Sequence, residues 1–542
     1  MTEAANAETH ATRASSPRND AIAIDDLTVV AGERTLLQNA GARFESGKIH
    51  LIVGASGAGK SVFLGILAGL IEKGHSSIDI TGAVSIDGKD RFSTDRNINV
   101  GIVFQSYALF DELSASANVQ FGLDHRRSIG DDKTSPREFL EDLGVPSNVT
   151  PHLLSGGQKQ RLAVARTLAF DPEIVVYDEP TSGLDPVNAQ RVARRIQDTH
   201  RQHGKTTIIV THDYKHLAAV ADGVVLLDHH ARQLRHLEHA AFNASGDHPE
   251  IARLIGTGAT PPPDAPAKAP PRIGGQILAR LGDFFASTCK VAEAAVLCLL
   301  AVLPLWRSAR WGLRYLWHYI VQLASPTAFA YFGAAGLIAG LVATHFTFKF
   351  LPFKAYTEPL ITEDLLQGLG FALYRIVIPV LLTVLLAARG GAAIAADVGS
   401  RVYSRQIDAM RSFGARPRSY LLTNILYATV LTTPVLIGVG FLVARFTSLV
   451  VFSYNYPQHD ALFWDGHFHR GLIEPGSAFY KGTGWTLIKV LACGLGVGAI
   501  SYFQGMRAKS SAVEVSRGIT RTIIWATLFV LLVHFAFAFI EF

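Results

Sequence analysis

Five apolar runs in the C-terminal part set the first constraint on this chain. Residues 329–348, 366–388, 420–443, 486–505 and 522–540 are each close to the ~20 residues an α-helix needs to cross a bilayer. Residues 21–240 read differently: short apolar strands such as "IHLIVG" and "EIVVYDE" alternate with helical stretches, the βαβ rhythm of a largely parallel sheet. The expected fold is therefore an α/β domain followed by an all-α membrane domain of about five spans. A composition of 49% hydrophobic and 18% charged residues over 542 positions, with mean hydropathy +0.24, fits that division better than several soluble domains.

The boundaries follow from local composition. Residues 1–20 are polar and rich in Ser and Ala, without the apolar core of a cleavable signal, and read as a disordered tail. The α/β domain is expected over 21–245. In the linker, 246–275, "TPPPDAPAKAPP" (260–271) has too much proline for helix or sheet and reads as a stiff spacer. Within 276–325 the apolar stretch 291–305 is short for a span and is followed by "WRSARWGLRYLWHYI". Its mixture of Arg, Trp and Tyr reads as an interfacial amphipathic helix. The membrane domain then occupies 326–542.

A net charge of +5 is small for this length and gives only a weak argument for nucleic acid, so no nucleic-acid partner is expected. The excess is expected beside the membrane. Arg389, Arg401, Arg405, Arg411, Arg416 and Arg418 follow the second run, and Arg507, Lys509, Arg517 and Arg521 the fourth. The alternate loops have only Lys349 and Lys354, then Arg470 and Lys481. The positive-inside rule puts the basic loops and the N-terminal domain in the cytoplasm and the C-terminus outside. Arg375 lies inside a run, where a charge is costly unless it meets a cavity or a partner. Lys489 and Arg445, nearer span ends, are expected to snorkel. Cys289, Cys298 and Cys493 form neither a metal-ligand spacing nor a disulfide framework.

Three stretches of the α/β half point to phosphate chemistry. "GASGAGKS" follows the strand "HLIV" and opens a helix, the context of a phosphate-binding loop. Gly54, Ala55, Ser56, Gly57, Ala58 and Gly59 would bring backbone N–H groups to phosphate oxygens. Lys60 would reach the β- and γ-phosphates, and Ser61 would ligate Mg2+. "EIVVYDEP" (173–180) is an apolar strand ending in two acids, Asp178 for the Mg2+ shell and Glu179 to polarise an attacking water. "LLSGGQKQRL" (153–162) holds a second helix start behind a serine and a glycine pair, with Ser155, Gly156, Gly157 and Gln158 poised for a further phosphate.

"LSGGQ" followed by "KQRLAVARTLAFDPEIVVYDEPTSGLDP" resembles the signature, Walker B and D-loop run of ABC-transporter ATPases, which places Asp185 in the D-loop. "VFQSYALFDELSASANVQFGL" (103–123) is similar to their Q-loop region with Gln105 as the glutamine, and "IIVTHD" to their switch strand with His212. Where many members stack an aromatic residue on adenine, this chain has Ala31 before Gly32. The resemblance implies ATP hydrolysis with Mg2+, His212 contacting the γ-phosphate and Gln105 joining the metal shell. It also implies that the signature helix caps ATP held by an opposite subunit. One chain has one loop and one "LSGGQ", so a homodimer with two composite sites is expected.

"AARGGAAIAADVGSRVYSRQIDAMRSFGARPRSYLL" (387–422) resembles the Gly/Ala-rich segment and coupling helix of MlaE-type permeases, membrane subunits of MCE-linked bacterial lipid transporters. "EVSRGITRTIIW" (514–525) and "ALYRIVIPVLL", with Arg375 and Pro379, extend the match, and "YALFDELS" suits the MlaF-type ATPases paired with them. The sequence departs at Ile376, where an acid is usual. This resemblance implies a multi-pass protein of the bacterial inner membrane that moves a lipid, phospholipid foremost, with a separate MCE-domain partner. The small residues read as close helix packing, with a direct substrate role as the alternative. "RVYSRQIDAM" reads as a helix docking beside Gln105, with a solvated basic face or headgroup-binding patch as the alternative. An ABCG-like half-transporter exporting drugs or sterols would need six spans. A mechanotransmitter would need a larger outer domain than the loop at 452–484.

Overall fold

The computed structural model describes residues 20–74, 78–93, 100–126, 135–238, 248–251, 298, 301, 303–304, 306, 308–350, 354–474, 476–509 and 511–541. The expected tail up to residue 19, the proline-rich stretch 260–271 and the run 291–297 lie outside them. The chain divides into two compact units, Met1–Ala267 with Asp408–Gly414, and Lys268–Ile407 with Ala415–Phe542.

The first unit contains two sheets. β1 (Asp20–Ala31), β2 (Arg34–Glu45), β4 (Ile78–Ile86) and β5 (Lys89–Asp90) form an antiparallel sheet in the order β2-β1-β4-β5. The other sheet runs β10-β9-β3-β8-β7-β6, from β3 (Ile49–Val53), β6 (Val100–Val103), β7 (Ile174–Asp178), β8 (Thr206–Thr211), β9 (Gly223–Asp228) and β10 (Gln233–Leu237). All its pairs are parallel except β9 with β10. β3, β7 and β8 are buried along their whole lengths, so they are rich in Val and Ile on both faces rather than alternating with exposed polar residues. Among the described residues, the helices that flank these sheets include α1 (Lys60–Leu67), α2 (Ala115–His125), α3 (Pro136–Asp142), α4 (Gly156–Ala169), α5 (Pro186–His203) and α6 (Lys215–Ala218).

In the second unit, five helical segments among the described residues are long and apolar enough to cross a membrane: Ala309–Lys349, Ile361–Tyr403, Arg418–Asn455, Thr483–Gly505 and Ala512–Glu541. The first of them breaks at Ala324 and Ser325 into the helices Ala309–Leu323 and Pro326–Lys349. Gly336 and Gly340 lie against the backbone of Gly440 and Ala444, where a Cβ would come within 2.2 and 2.3 Å of a carbonyl oxygen. Small residues one turn apart thus let two helices touch, and Thr344 donates to Ser448 across the same seam at 2.7 Å. Gly391, from the expected small-residue segment, likewise packs where a Cβ would meet Ser501 and Val497 at 3.2 and 3.3 Å.

Two sequence expectations need correction here. The second run does not end at 388: helix continues through Ala392–Tyr403, and Arg389 and Arg401 belong to it rather than to a loop. Both have partners on the same unit. Arg389 donates to Leu323 O and to Ser325 Oγ at 3.3 and 2.8 Å, and Arg401 forms an ion pair with Asp397 at 2.8 Å. Lys489 does not snorkel: it is buried and pairs with Glu541. Arg375 donates to the same carboxylate at 2.8 Å, so Glu541, from the last helix, faces the arginine whose neighbour Ile376 carries no acid.

Candidate nucleotide site

Strand order explains why distant motifs meet. β8 lies between β3 and β7, with Val53 opposite Thr211 and Asp178 opposite Val210. The residues that follow these three strands therefore emerge side by side at their carboxyl ends, where open α/β sheets form their ligand crevices.

From β3 the chain enters the loop Gly54–Gly59. Gly57 and Gly59 take φ of +77° and +97°, left-handed angles that cost side-chain-bearing residues about 1–2 kcal/mol each. Gly59 precedes α1, and a Cβ there would crowd Leu36 at 3.3 Å. Lys60 donates to Gly54 O and Ala55 O at 2.7 and 3.1 Å, folding the loop around its own ammonium. Burial pulls this ammonium below its usual range, against the opposing pull of Glu179 and Asp178. Ala55 and Ala58 are buried, whereas Ser56, Gly57 and Ser61 are exposed.

Glu179 follows Asp178 in a left-handed conformation, φ +50°, kept there by its N–H donating to Val210 O at 2.8 Å. Its carboxylate gathers the site. Oε1 is 3.5 Å from Lys60 Nζ, and Oε2 is 2.7 Å from His212 Nδ1. Thr211 Oγ1 and His212 N donate to Oε2 at 3.2 and 3.3 Å. Gln105, exposed, lines one cleft with Asp178, Glu179, Tyr107 and Gln160. The oxygens of Ser61, Gln105 and Asp178 are hard donors, of the chemical type that suits Mg2+.

Ser155 caps α4. Its Oγ accepts from Gln158 N at 3.3 Å while Gln158 Oε1 accepts from Ser155 N at 2.9 Å, a reciprocal capping box. Ser155, Gly156 and Gly157 are exposed. Asp185 caps α5, accepting from Asn188 N at 3.1 Å, and this bond holds its carboxyl below the usual range.

Sequence reasoning missed several residues. Gln160 donates to Pro180 O at 3.2 Å, tying α4 to the loop beyond Glu179. Tyr107 and Ala108, just after Gln105, both have positive φ, +63° and +48°. Arg166 of α4, fully buried, donates to their carbonyl oxygens, at 3.1 Å to Tyr107 and 2.6 Å to Ala108. Burial draws its guanidinium down to about 9. The residues Asp408–Gly414 that group with this unit supply Phe413, buried edge-on against Phe170 and Phe121 at 5.2 and 6.0 Å. The one signal for Arg166 was its place on the signature helix.

Phosphate loop, paired acids, switch histidine and glycine-tipped helix on one parallel sheet define a nucleotide-hydrolysing cassette of the ABC type. Comparison with known proteins agrees: residues 37–182 match the ABC transporter family model and residues 327–540 the Permease MlaE model. The chain joins an ABC transporter ATPase domain to an MlaE permease domain. The sulfate/thiosulfate import ATP-binding protein CysA 2 of Chromobacterium violaceum is 36% identical over 36% of this chain and 53% of its own length. The Fe(3+) ions import ATP-binding protein FbpC of Brucella melitensis is 36% identical over 39% of this chain and 59% of its own. This chain thus spans little more than half the length of these relatives. Among solved structures, cbiO1 from Clostridium perfringens has TM-score 0.35 at 25% identity, covering 40% of this chain and 87% of its own. A bacterial ABC transporter cassette solved as a dimer has TM-score 0.35 at 27% identity, over 40% and 98%.

Proposed function

We propose that this chain is half of an ATP-driven lipid transporter of the bacterial inner membrane, with ATPase and permease in one polypeptide acting as a homodimer. The convergence of Lys60, Glu179 and His212 at adjoining strand ends, in a chain that also matches the MlaE permease, carries the reading. Gly54, Ala55, Ser56, Gly57, Ala58, Gly59 and Lys60 bind the phosphates of ATP. Ser61, Gln105 and Asp178 hold Mg2+, which would neutralise phosphate charge. Glu179 orients and polarises the attacking water, and His212, bonded to the same carboxylate, contacts the γ-phosphate. The exposed cap at Ser155, Gly156, Gly157 and Gln158 closes on ATP of the twin chain, with Asp185 beside that junction.

The permease passes a bilayer lipid, phospholipid foremost, to or from a separate MCE-domain partner. The ATPase domain and the basic segments face the cytoplasm, and the C-terminus lies outside. Five candidate spans among the described residues favour this reading over a six-span exporter. The substrates named for the import relatives attach to proteins similar over little more than a third of this chain, and do not bear on the membrane half. Extraction of the complex in mild detergent, with mass spectrometry of bound lipid and copurified protein, tests the proposal. Phospholipid and an MCE protein are expected; a preparation with neither contradicts it.

A further inference from the structure

Two consecutive residues after Gln105 adopt an unfavourable backbone. Tyr107 and Ala108 have φ of +63° and +48°, and neither is a glycine, so the loop needs external support to keep its shape. Two groups of bonds provide it. Asn118 fixes the chain just beyond, its Oδ1 accepting from Phe110 N at 2.9 Å and its Nδ2 donating to Phe110 O at 3.0 Å. Arg166 holds the pair itself, one guanidinium nitrogen to each carbonyl oxygen. Its guanidinium lies over the rings of Phe110 and Phe413, 5.1 and 5.3 Å from their centroids. Burial excludes water from the bond to Ala108 O, which strengthens it, while the bond to Tyr107 O is partly buried. Tyr107 N also donates to Phe104 O at 2.9 Å, so the loop turns tightly around Gln105, and Tyr107 shares the cleft with Gln105, Asp178 and Glu179.

We propose that Arg166 is a positioning residue for hydrolysis: it clamps Tyr107 and Ala108 in the left-handed conformation that aims Gln105 into the cleft, and Phe413 closes the clamp. The kinetic part rests on the ATPase reading above; the conformational part does not. Arg166 touches no reacting atom. It acts through the backbone alone, so a residue that takes positive φ without strain replaces its contribution. Glycine at 108 is that residue.

The test uses the full chain in lipid nanodiscs, as wild type, Arg166→Met, and Arg166→Met with Ala108→Gly. Two readouts are taken: hydrogen exchange over residues 104–110, and kcat with KM for ATP. Arg166→Met should speed exchange in that segment and lower kcat about tenfold with KM changed less than about twofold, since the phosphate loop is untouched. Adding Ala108→Gly should slow exchange again and recover at least about threefold in kcat, because glycine removes the left-handed penalty at 108, one of the two strained positions. A merely structural role for Arg166 would give additive losses. Unchanged exchange in Arg166→Met, or no recovery with Ala108→Gly, overturns the clamp. Recovery of exchange without recovery of kcat overturns its link to Gln105. Should Arg166→Met not fold, Arg166→Lys, which cannot hold both carbonyls as a fork, takes its place in the same comparison. A wild type that does not hydrolyse ATP defeats the ATPase reading, and the exchange comparison still decides the clamp.

Discussion

Glu541, at the end of the helix Ala512–Glu541, holds two cations of the membrane unit. Its buried carboxylate meets Arg375 through Nε at 2.8 Å and Lys489 at 2.5 Å. Lys489 also donates to Arg375 O at 3.0 Å. That carbonyl lies four residues before Pro379, which has no N–H to offer it, and the lysine supplies a donor there. Glu541→Gln leaves a buried Lys489 and a partly buried Arg375 facing a neutral amide. Removing one partner of a buried ion pair costs roughly 3–5 kcal/mol, and bonding partners found in the membrane-inserted unfolded state bring the expectation to about 3 kcal/mol. At ~2–4 °C per kcal/mol for a unit of this size, the Tm should fall by ~6–12 °C. All six tryptophans lie between residues 306 and 525, so intrinsic fluorescence of the full chain in detergent follows this unit alone. Adding Lys489→Met to Glu541→Gln removes one stranded cation and should recover part of the loss. A Glu541→Gln protein melting within ~1 °C of wild type would refute the reasoning.

Other outcomes follow from the same geometry. Glu179→Gln should abolish ATP turnover while ATP binding persists in a filter or fluorescence assay; turnover within about tenfold of wild type refutes its role. Gly336→Leu should prevent the helices Pro326–Lys349 and Thr423–Asn455 from packing, because even a Cβ would lie 2.2 Å from Gly440 O; a monodisperse, unshifted melting profile contradicts this. His50 is buried, and desolvation holds its imidazole below the ordinary 6.5. The unfolded chain therefore binds the proton first, and stability is lost as pH falls through about 6.5 toward the lower folded value. His50→Gln should flatten the pH dependence of Tm in that window, and an unchanged slope would oppose it.

The nucleotide site was readable because its chemistry depends on residue type. Left-handed Gly57 and Gly59, acids closing an apolar strand and a Ser–Gly–Gly helix start each leave a local mark in sequence. Strand adjacency completed it, since β8 between β3 and β7 brings His212 to Glu179. The Arg166 clamp had no such mark: the positive φ of Tyr107 and Ala108 comes from tertiary bonds made 58 and 59 residues away, and local propensity gives no hint of it. In the membrane half, the apolar runs located the spans, but charge counting assigned Arg389 and Arg401 to a loop because their partners, Ser325 and Asp397, cannot be inferred from hydropathy. Lys489 was misplaced for the same reason, its counter-ion lying 52 residues further along the chain.

In the proposed homodimer, each ATP is enclosed by the phosphate loop of one chain and the Ser155 cap of its twin. Ser155→Arg and Lys60→Ala should each be inactive alone as purified homodimers. Co-assembled in equal amounts, they should regain about a quarter of wild-type turnover, since half of the dimers are mixed and each mixed dimer keeps one intact site of two. A mixture as inactive as its parents, with mixed dimers verified by tag pull-down, would contradict the composite site and the account built on it.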